Sequence, residues 1–435
     1  MLTRNLNYLL YKDLPMPHFQ DLQLQDKIAA IVLAGGEGTR LYPLTLHRCK
    51  PNVCFGGKYR LIDVPISNSI NSQIHQIFVI SQHFAAGLQK HLLSSYAHQS
   101  LQRGNLEVLC PEETADGIKR FLGTADAVRK NIEHLQKVPA EYFLILSGDQ
   151  LYNLDLIEMV EFARQKNADL VIAALPIKEK EAKRMGLLKI SEENKVTDFF
   201  EKPQDQIILD AFRFNKDNKK APSVYLGSMG IYVFRKESLI KLLKEEGHDF
   251  GKDLIPKKIK EHNSFAFIYD GYWEDIGTIA SYYEANLALT SQANCLNLYD
   301  LWNPIYGTQK PLPSALIKGT KIASSIISQG CIIEAEEISH SLIGIRSRIG
   351  ANTKIKDSIV IGDYSEQSQD EISPFQIGKN CLIEKTIIDE DVTIGNGVHL
   401  INKQKLTHYD GDGIFIRDGI IVVSSGTVLP DGFTL

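Results

Sequence analysis

The sequence predicts two joined architectures: an α/β domain built on a mostly parallel sheet, then a parallel β-helix. Three observations carry this. Apolar strand-like runs alternate with helix-like segments from residue 28 to about 290. The first of those runs breaks into the glycine-rich turn Gly35-Gly36-Glu37-Gly38. After about residue 316 the period changes, and aliphatic residues recur every six positions. A chain of 435 residues is too long for one ordinary domain, which agrees with a two-domain reading.

Taken in order, residues 1–27 are expected to form an arm ahead of the folded part. They hold Asp13, Asp21 and Asp26 and no apolar core, unlike a signal peptide. Residues 28–290 form the first domain, with strands expected at 28–34, 77–81, 142–146, 170–174 and 230–234. Helices are expected at 126–136, where Val128, Ile132 and Leu135 have helical spacing, and at 154–165. Apolar strands between helices argue for a sheet covered on both faces. Ligands bind such sheets beyond the carboxyl ends of the strands, where the glycine turn and Ser147-Gly148-Asp149 fall. Residues 212–220 read as a solvated loop. The pattern is lost over 291–315, around Pro304, Pro311 and Pro313, which predicts a packed linker.

From 316 to 435 the repeat of six takes over. It runs through Ile326, Ile332 and Ile338, through Ile343, Ile349, Ile355 and Ile361, and through Leu382, Ile388, Ile394 and Leu400. A helix cannot produce a period of six. A triangular coil of short parallel strands can, with one aliphatic residue inward on each side. Residues 363–375 interrupt the series and are expected to leave the coil as a loop.

Composition narrows the function classes. The formal net charge is −5 with no basic block, which argues against nucleic acid as a partner. No apolar run approaches the roughly 20 residues of a membrane span. The six cysteines form no Cys-x-x-Cys pair, which argues against a zinc site. They predict reduced thiols in a cytoplasmic setting, or in a plastid stroma for a plant-like source.

The glycine turn points to chemistry. Glycines let the backbone turn sharply and present N–H groups without an intervening Cβ. Arg40 and Lys50 follow with positive charge. A strand, a glycine turn and cations behind it make a phosphate-binding arrangement. It is not a Walker loop, because no lysine follows Gly38. Nor is it a dinucleotide fingerprint, because Leu41 stands where a small residue is needed.

The wider run Leu33–Thr45, with Lys50-Pro51, resembles the nucleotide-binding signature of the sugar-nucleotide pyrophosphorylases. Further segments narrow the resemblance to the ADP-glucose pyrophosphorylase (glucose-1-phosphate adenylyltransferase) family. They are Lys58–Asp63, Ser67-Asn68, Gly123–Val128, Gly148-Asp149, Glu201–Pro203, Ser228–Phe234, Asp249–Pro256 and Trp273–Thr278. Ile401–Lys403 and Ile416–Ile420 are similar to the C-terminal part of the cyanobacterial and plant forms. The resemblance spans residue 28 to the C-terminus. It implies a Rossmann-like nucleotidyltransferase domain followed by a left-handed β-helix that carries regulation and subunit contacts in a homotetramer.

The implied reaction joins ATP and α-D-glucose 1-phosphate into ADP-glucose and pyrophosphate, for glycogen or starch synthesis. It needs no covalent protein nucleophile, only positioning and charge neutralisation. The resemblance makes Arg40, Lys50 and Asp149 the catalytic group. It puts Leu33, Ala34, Gly35, Gly36, Gly38, Thr39, Arg40, Gln82, Gly123 and Thr124 at ATP. Glu201, Lys202 and Ser228 fall at glucose 1-phosphate, and Asp149 with Asp275 at Mg²⁺. Read alone, an aspartate after a strand is also a turn or cap residue, and Glu-Lys-Pro an ordinary loop.

Some positions depart from the family. Arg120 replaces a usual tryptophan before Phe121, in a segment associated with passing the activator signal. His47 and Cys54 stand where forms responding to fructose bisphosphate tend to carry Lys and His. Lys403 matches one effector lysine, and Ser425 stands near a second. Anionic metabolite effectors are expected at Arg48, Arg60, Lys403 and Arg417, with an altered response. Three rival readings are a pyrophosphorylase for another sugar or base, a non-catalytic regulatory subunit, and an acyltransferase built on the β-helix. The set Arg40, Lys50, Asp149, Lys202 and Asp275 argues against the second, and the unremarkable setting of His340 and His399 against the third.

Overall fold

The computed structural model describes residues 22–435, apart from 104, 112, 115–116, 119, 215–222, 292–294, 309–310 and 364–375. Most of the expected arm, most of the 212–220 loop and nearly all of the expected excursion at 363–375 lie outside the described residues.

A nine-stranded sheet organises the first domain. Its strands are β1 (Ile28–Leu33), β2 (Gln76–Ile80), β3 (Asn105–Leu109), β4 (Tyr142–Ser147), β5 (Leu170–Lys178), β6 (Gly186–Ile190), β7 (Val196–Glu201), β8 (Val224–Arg235) and β9 (Ser264–Ile268). The order is β7-β6-β8-β4-β1-β2-β3, with β5 along β8 and β9 beside β5. Pairing is parallel among β4, β1, β2 and β3 and between β5 and β9. It is antiparallel where β8 meets β4, β5 and β6, and between β6 and β7. The glycine-turn half therefore has the expected parallel order, and a mixed half joins it through β8. Gly230, at φ +71°, marks the change of partner along β8: residues before it pair with β6 and residues after it with β4.

Alternation along β1 explains the two-sided cover. Ala30 and Val32 pack into one buried cluster with Val79, Leu144 and Leu146; Ala29 and Ile31 pack into another with Phe78, Phe143 and Ile145. The helix expected over 126–136 is two helices, Thr124–Lys130 and Ile132–Gln136. Asn131 breaks it, its amide donating to the Ala127 carbonyl at 2.8 Å. Leu156–Gln165 is capped by Asp155, whose carboxylate accepts from the N–H groups of Ile157 and Glu158.

The C-terminal domain is a three-sided coil of parallel strands. Ile317 pairs with Ile333 on one side, Ile338 with Ile355 on the second, and Ile343 with Val360 on the third. The inward columns are Ile333, Ile349, Ile377, Ile394 and Leu429; Ile338, Ile355, Ile383 and Leu400; and Ile343, Val360, Ile388 and Val423. The repeat of six is thus broken by steps of five, from Ile333 to Ile338, from Ile338 to Ile343, from Ile355 to Val360 and from Ile383 to Ile388. Consequently Ile332 is partly exposed, and Ile361 is buried outside the coil rather than within it. The corner between the second and third sides is held by hydroxyls. Ser325 accepts from the Ser341 N–H, Ser341 from Ser358, and Ser358 from Thr386. The same corner repeats a left-handed residue at Ser324, His340, Asp357 and Lys385.

A further buried cluster joins the two domains. Leu41, Phe55, Val64, Ile276, Tyr282 and Leu287 pack with Leu342, Ile359, Ile361, Ile387, Phe415 and Val422. Helix Ile279–Ser291 supplies the first-domain side of much of this contact.

Candidate active site

A cleft of about 770 Å³ opens beyond the carboxyl ends of β1, β2 and β4. Its walls are the glycine turn, the 120–124 loop, the start of β6, the end of β7 and the middle of β8.

β1 delivers the turn, and Ala34 N–H donates to the Ile80 carbonyl at 2.8 Å before the backbone leaves the sheet. Gly36 faces open space, so its backbone is accessible to a ligand. Gly38 has φ +67°, and a Cβ there would sit 2.8 Å from that of Lys50. The turn therefore packs directly on the lysine that follows it. Gln82 braces the turn: its Nε2 donates to the Gly35 carbonyl at 3.2 Å and its Oε1 accepts from Phe121 N–H at 2.8 Å.

Two carboxylates converge on Lys50. Its Nζ lies 2.5 Å from Asp149 Oδ2 and 3.5 Å from Asp275 Oδ1. Gly148 brings Asp149 there, because a Cβ at 148 would lie 3.0 Å from the Leu33 carbonyl oxygen. Asp275 arrives by register: Trp273–Asp275 runs antiparallel to Gln150–Tyr152, with Asp275 opposite Gln150. Burial opposes charge on Lys50 and on Asp149. Even so, the attraction of Asp149 and Asp275 holds the Lys50 ammonium above the usual lysine value. The Lys50 charge and the Ser147 hydroxyl likewise hold Asp149 below the usual carboxylate range. The neighbouring Glu274 carboxyl, mostly buried and with Arg184 as its main opposing charge, is pushed up to about 7.

The opposite wall is built by a hairpin. Glu201, at the end of β7, pairs with Gly186 on β6. Its carboxylate is nested against two glycines: a Cβ on Gly186 or Gly251 would lie 2.7 or 2.8 Å from Glu201 Oε2. Lys202 takes a left-handed conformation, φ +48°, and its Nζ lies 3.2 Å from Glu201 Oε1. Ser228, on β8, lines the same wall. Gly123 is extended, and a Cβ on it would lie 2.4 Å from the His248 carbonyl oxygen. Thr124 Oγ1 donates to Asp249 Oδ2 at 2.9 Å.

Of the residues singled out in the sequence, Leu33, Gly35, Gly36, Arg40, Lys50, Gln82, Gly123, Thr124, Asp149, Glu201, Lys202, Ser228 and Asp275 line this cleft. Ala34, Gly38 and Thr39 do not. Ala34 is buried behind the turn, Gly38 packs on Lys50, and Thr39 lines a neighbouring cleft with Tyr42, Leu46 and Arg417. Arg184, Gln150, Tyr232 and Trp273 line the cleft without having been singled out for the site. Trp273 and Tyr232 sat in quoted segments; Arg184 sat in none.

Three of the four cations expected to bind effectors, Arg48, Arg60 and Arg417, already have acid partners. Arg48 Nη1 is 2.7 Å from Asp389 Oδ1, and Arg60 Nη1 is 3.2 Å from Glu390 Oε1, both pairs buried between the domains. Burial disfavours the charge of Glu390, but Arg60 and Arg48 outweigh it and hold the carboxyl low. Cys54 donates its thiol to Glu390 Oε1 at 2.7 Å. Arg417 instead pairs with Asp410 and lies over the Tyr42 and Phe415 rings. Arg48 and Arg60 are thus structural cations in this conformation, because each already has a buried acid.

Among the described residues, no three His, Cys, Asp or Glu side chains gather to hold a metal by themselves. Asp149 and Asp275 nevertheless aim hard oxygens at one cation, the Lys50 ammonium. That donor set fits a small divalent ion shared with phosphate oxygens.

A sheet with a parallel half, a glycine turn at the carboxyl edge of that half and a cleft with cations on both walls suit phosphate-bearing ligands. The chain belongs to the nucleotidyl transferase family, whose model matches residues 29–292. Residues 310–434 match the GLGC left-handed parallel β-helix domain, and this domain pair is typical of glucose-1-phosphate adenylyltransferase.

Proposed function

We propose that the chain is a glucose-1-phosphate adenylyltransferase, transferring AMP from ATP to α-D-glucose 1-phosphate with release of pyrophosphate. The observation that carries this reading is the convergence of Lys50, Asp149 and Asp275 between the glycine turn and the Glu201–Lys202 wall. The triphosphate lies on the turn, with Arg40 and Lys50 neutralising its charge. Glu201 and Ser228 accept and donate hydrogen bonds to sugar hydroxyls, and Lys202 pairs with the sugar phosphate. Gln82 presents the adenine side of the cleft. Asp149 and Asp275 hold Mg²⁺, which supplies electrostatic neutralisation of the phosphates when bound. The rest of the catalysis is orientation: two anionic substrates are held together by groups already placed for them.

The free thiols of all six cysteines favour a reducing, cytoplasm-like compartment. The β-helix is the surface we assign to subunit contacts in a homotetramer. The experiment that tests the activity is pyrophosphate release with glucose 1-phosphate and ATP, UTP, GTP or CTP in turn. ATP giving the highest kcat/KM is the expected result; UTP outcompeting ATP overturns it. Repeating the ATP assay with fructose 1,6-bisphosphate, 3-phosphoglycerate, AMP or phosphate tests the altered effector response, which activation by tens of fold would overturn.

A further inference from the structure

Arg184 stands on the turn between helix Glu179–Ala182 and β6, its N–H donating to the Glu181 carbonyl at 2.8 Å. The next residue, Met185, accepts from Lys202 N–H at 3.1 Å, and Gly186 pairs with Glu201. The backbone of Arg184 is therefore fixed to the wall assigned to the sugar phosphate. Its side chain reaches the other wall. A Cβ built on Gly277 would lie 3.5 Å from Arg184 Nη2, 3.6 Å from Arg40 Nη2 and 3.2 Å from Asp275 Oδ2.

Two guanidinium groups from opposite sides of the cleft thus close on one point beside a carboxylate proposed to hold the metal. Neither has a carboxylate oxygen within 4 Å among the described residues, Arg184 acting on Glu274 only from farther off, whereas Lys50 is committed to Asp149 and Asp275, and Lys202 to Glu201. Like charges brought together repel unless an anion joins them, and a planar fork suits phosphate oxygens. An arginine rooted at one substrate's wall and ending at the other's is placed for the phosphate that must cross between them.

We propose that Arg184 binds the phosphate of glucose 1-phosphate and, opposite Arg40, draws it to the α-phosphorus of the nucleotide. This rests on the function proposed above. In the step, the sugar phosphate oxygen forms a bond to the α-phosphorus, the bond to the β-phosphate oxygen breaks, and pyrophosphate leaves with the electron pair. Arg184 keeps its proton throughout.

The test is steady-state kinetics of Arg184→Ala and Arg184→Lys against the wild-type full chain, with both substrates varied and thermal melting as a folding control. The alanine variant is expected to lose about 100-fold in kcat/KM for glucose 1-phosphate. Its KM for ATP should stay within about threefold and its melting temperature should not change, because the side chain is exposed. Lysine should recover about tenfold, keeping the charge without the fork. Variants within threefold of an active wild type overturn this role alone, and so does a loss confined to KM for ATP. A wild type inactive on every nucleotide and sugar phosphate overturns the parent reading and this one together.

Discussion

Lys50 separates two carboxylates that would otherwise repel each other in a half-closed cleft, and they keep it charged although it is mostly buried. Asp149→Asn removes one charge while keeping shape. It should lower kcat by roughly 10²–10³-fold in a pyrophosphate-release assay, with the fold retained by circular dichroism. Glu274 offers a pH test. Burial raises its folded-state value to about 7, above the unfolded value near 4.5. Its contribution is therefore present in full at acid pH and is lost as pH rises through 7, when the carboxylate must ionise in place. Glu274→Gln should match wild type at pH 4 and be more stable by about 1–2 kcal/mol at pH 8, after allowance for solvent screening. Urea unfolding at the two pH values checks it. Lys50 and Asp149 were legible because each lies within a short motif beside a strand end. Arg184 was not, since its role depends on a side chain crossing from one wall to the other, which no spacing along the chain encodes.

At the scale of elements, the glycines explain why the walls are so close. Gly123→Ala places a methyl group 2.4 Å from the His248 carbonyl, so the 123–126 turn or the 248–250 segment must move. A cost of about 1–3 kcal/mol in denaturant unfolding and a raised KM for ATP are expected. The parallel half of the sheet was readable from its continuous apolar strands. The mixed half was not, because β8 pairs with different strands along its length and a local pattern does not reveal a change of partner. The coil was readable as a period, and Ile338, Ile343, Ile349, Ile355, Ile388, Ile394 and Leu400 do turn inward, whereas Ile326, Ile332, Ile361 and Leu382 do not. Aliphatic neighbours such as Ile332-Ile333, Ile361 after Val360, and Leu382-Ile383 satisfy a repeat of six equally well. The packed interior of the coil holds Ile333, Val360 and Ile383, the member of each pair that turns inward.

For the whole molecule, the decisive feature is that the domains share a core and a buried set of charges. Prolines marked the connection, yet the contact itself joins residues more than 300 positions apart, beyond the reach of periodicity. Asp389→Ala leaves Arg48 buried without its nearest acid. It should cost about 3–5 kcal/mol, read as a lower urea midpoint. Unfolding should remain a single transition by fluorescence and circular dichroism, because one apolar cluster spans both domains.

The interdomain pairs also bear on how such a chain can change over generations. Arg48 and Arg60 lie on either side of Lys50, the glycine turn's partner lysine, along the chain, while Asp389 and Glu390 are carried by the coil. A hybrid that takes its first domain from this chain and its second from a relative lacking those acids inherits two buried cations without anions. Recombination between the halves is therefore constrained to exchange both sides of the set at once, and the two domains descend as a matched pair.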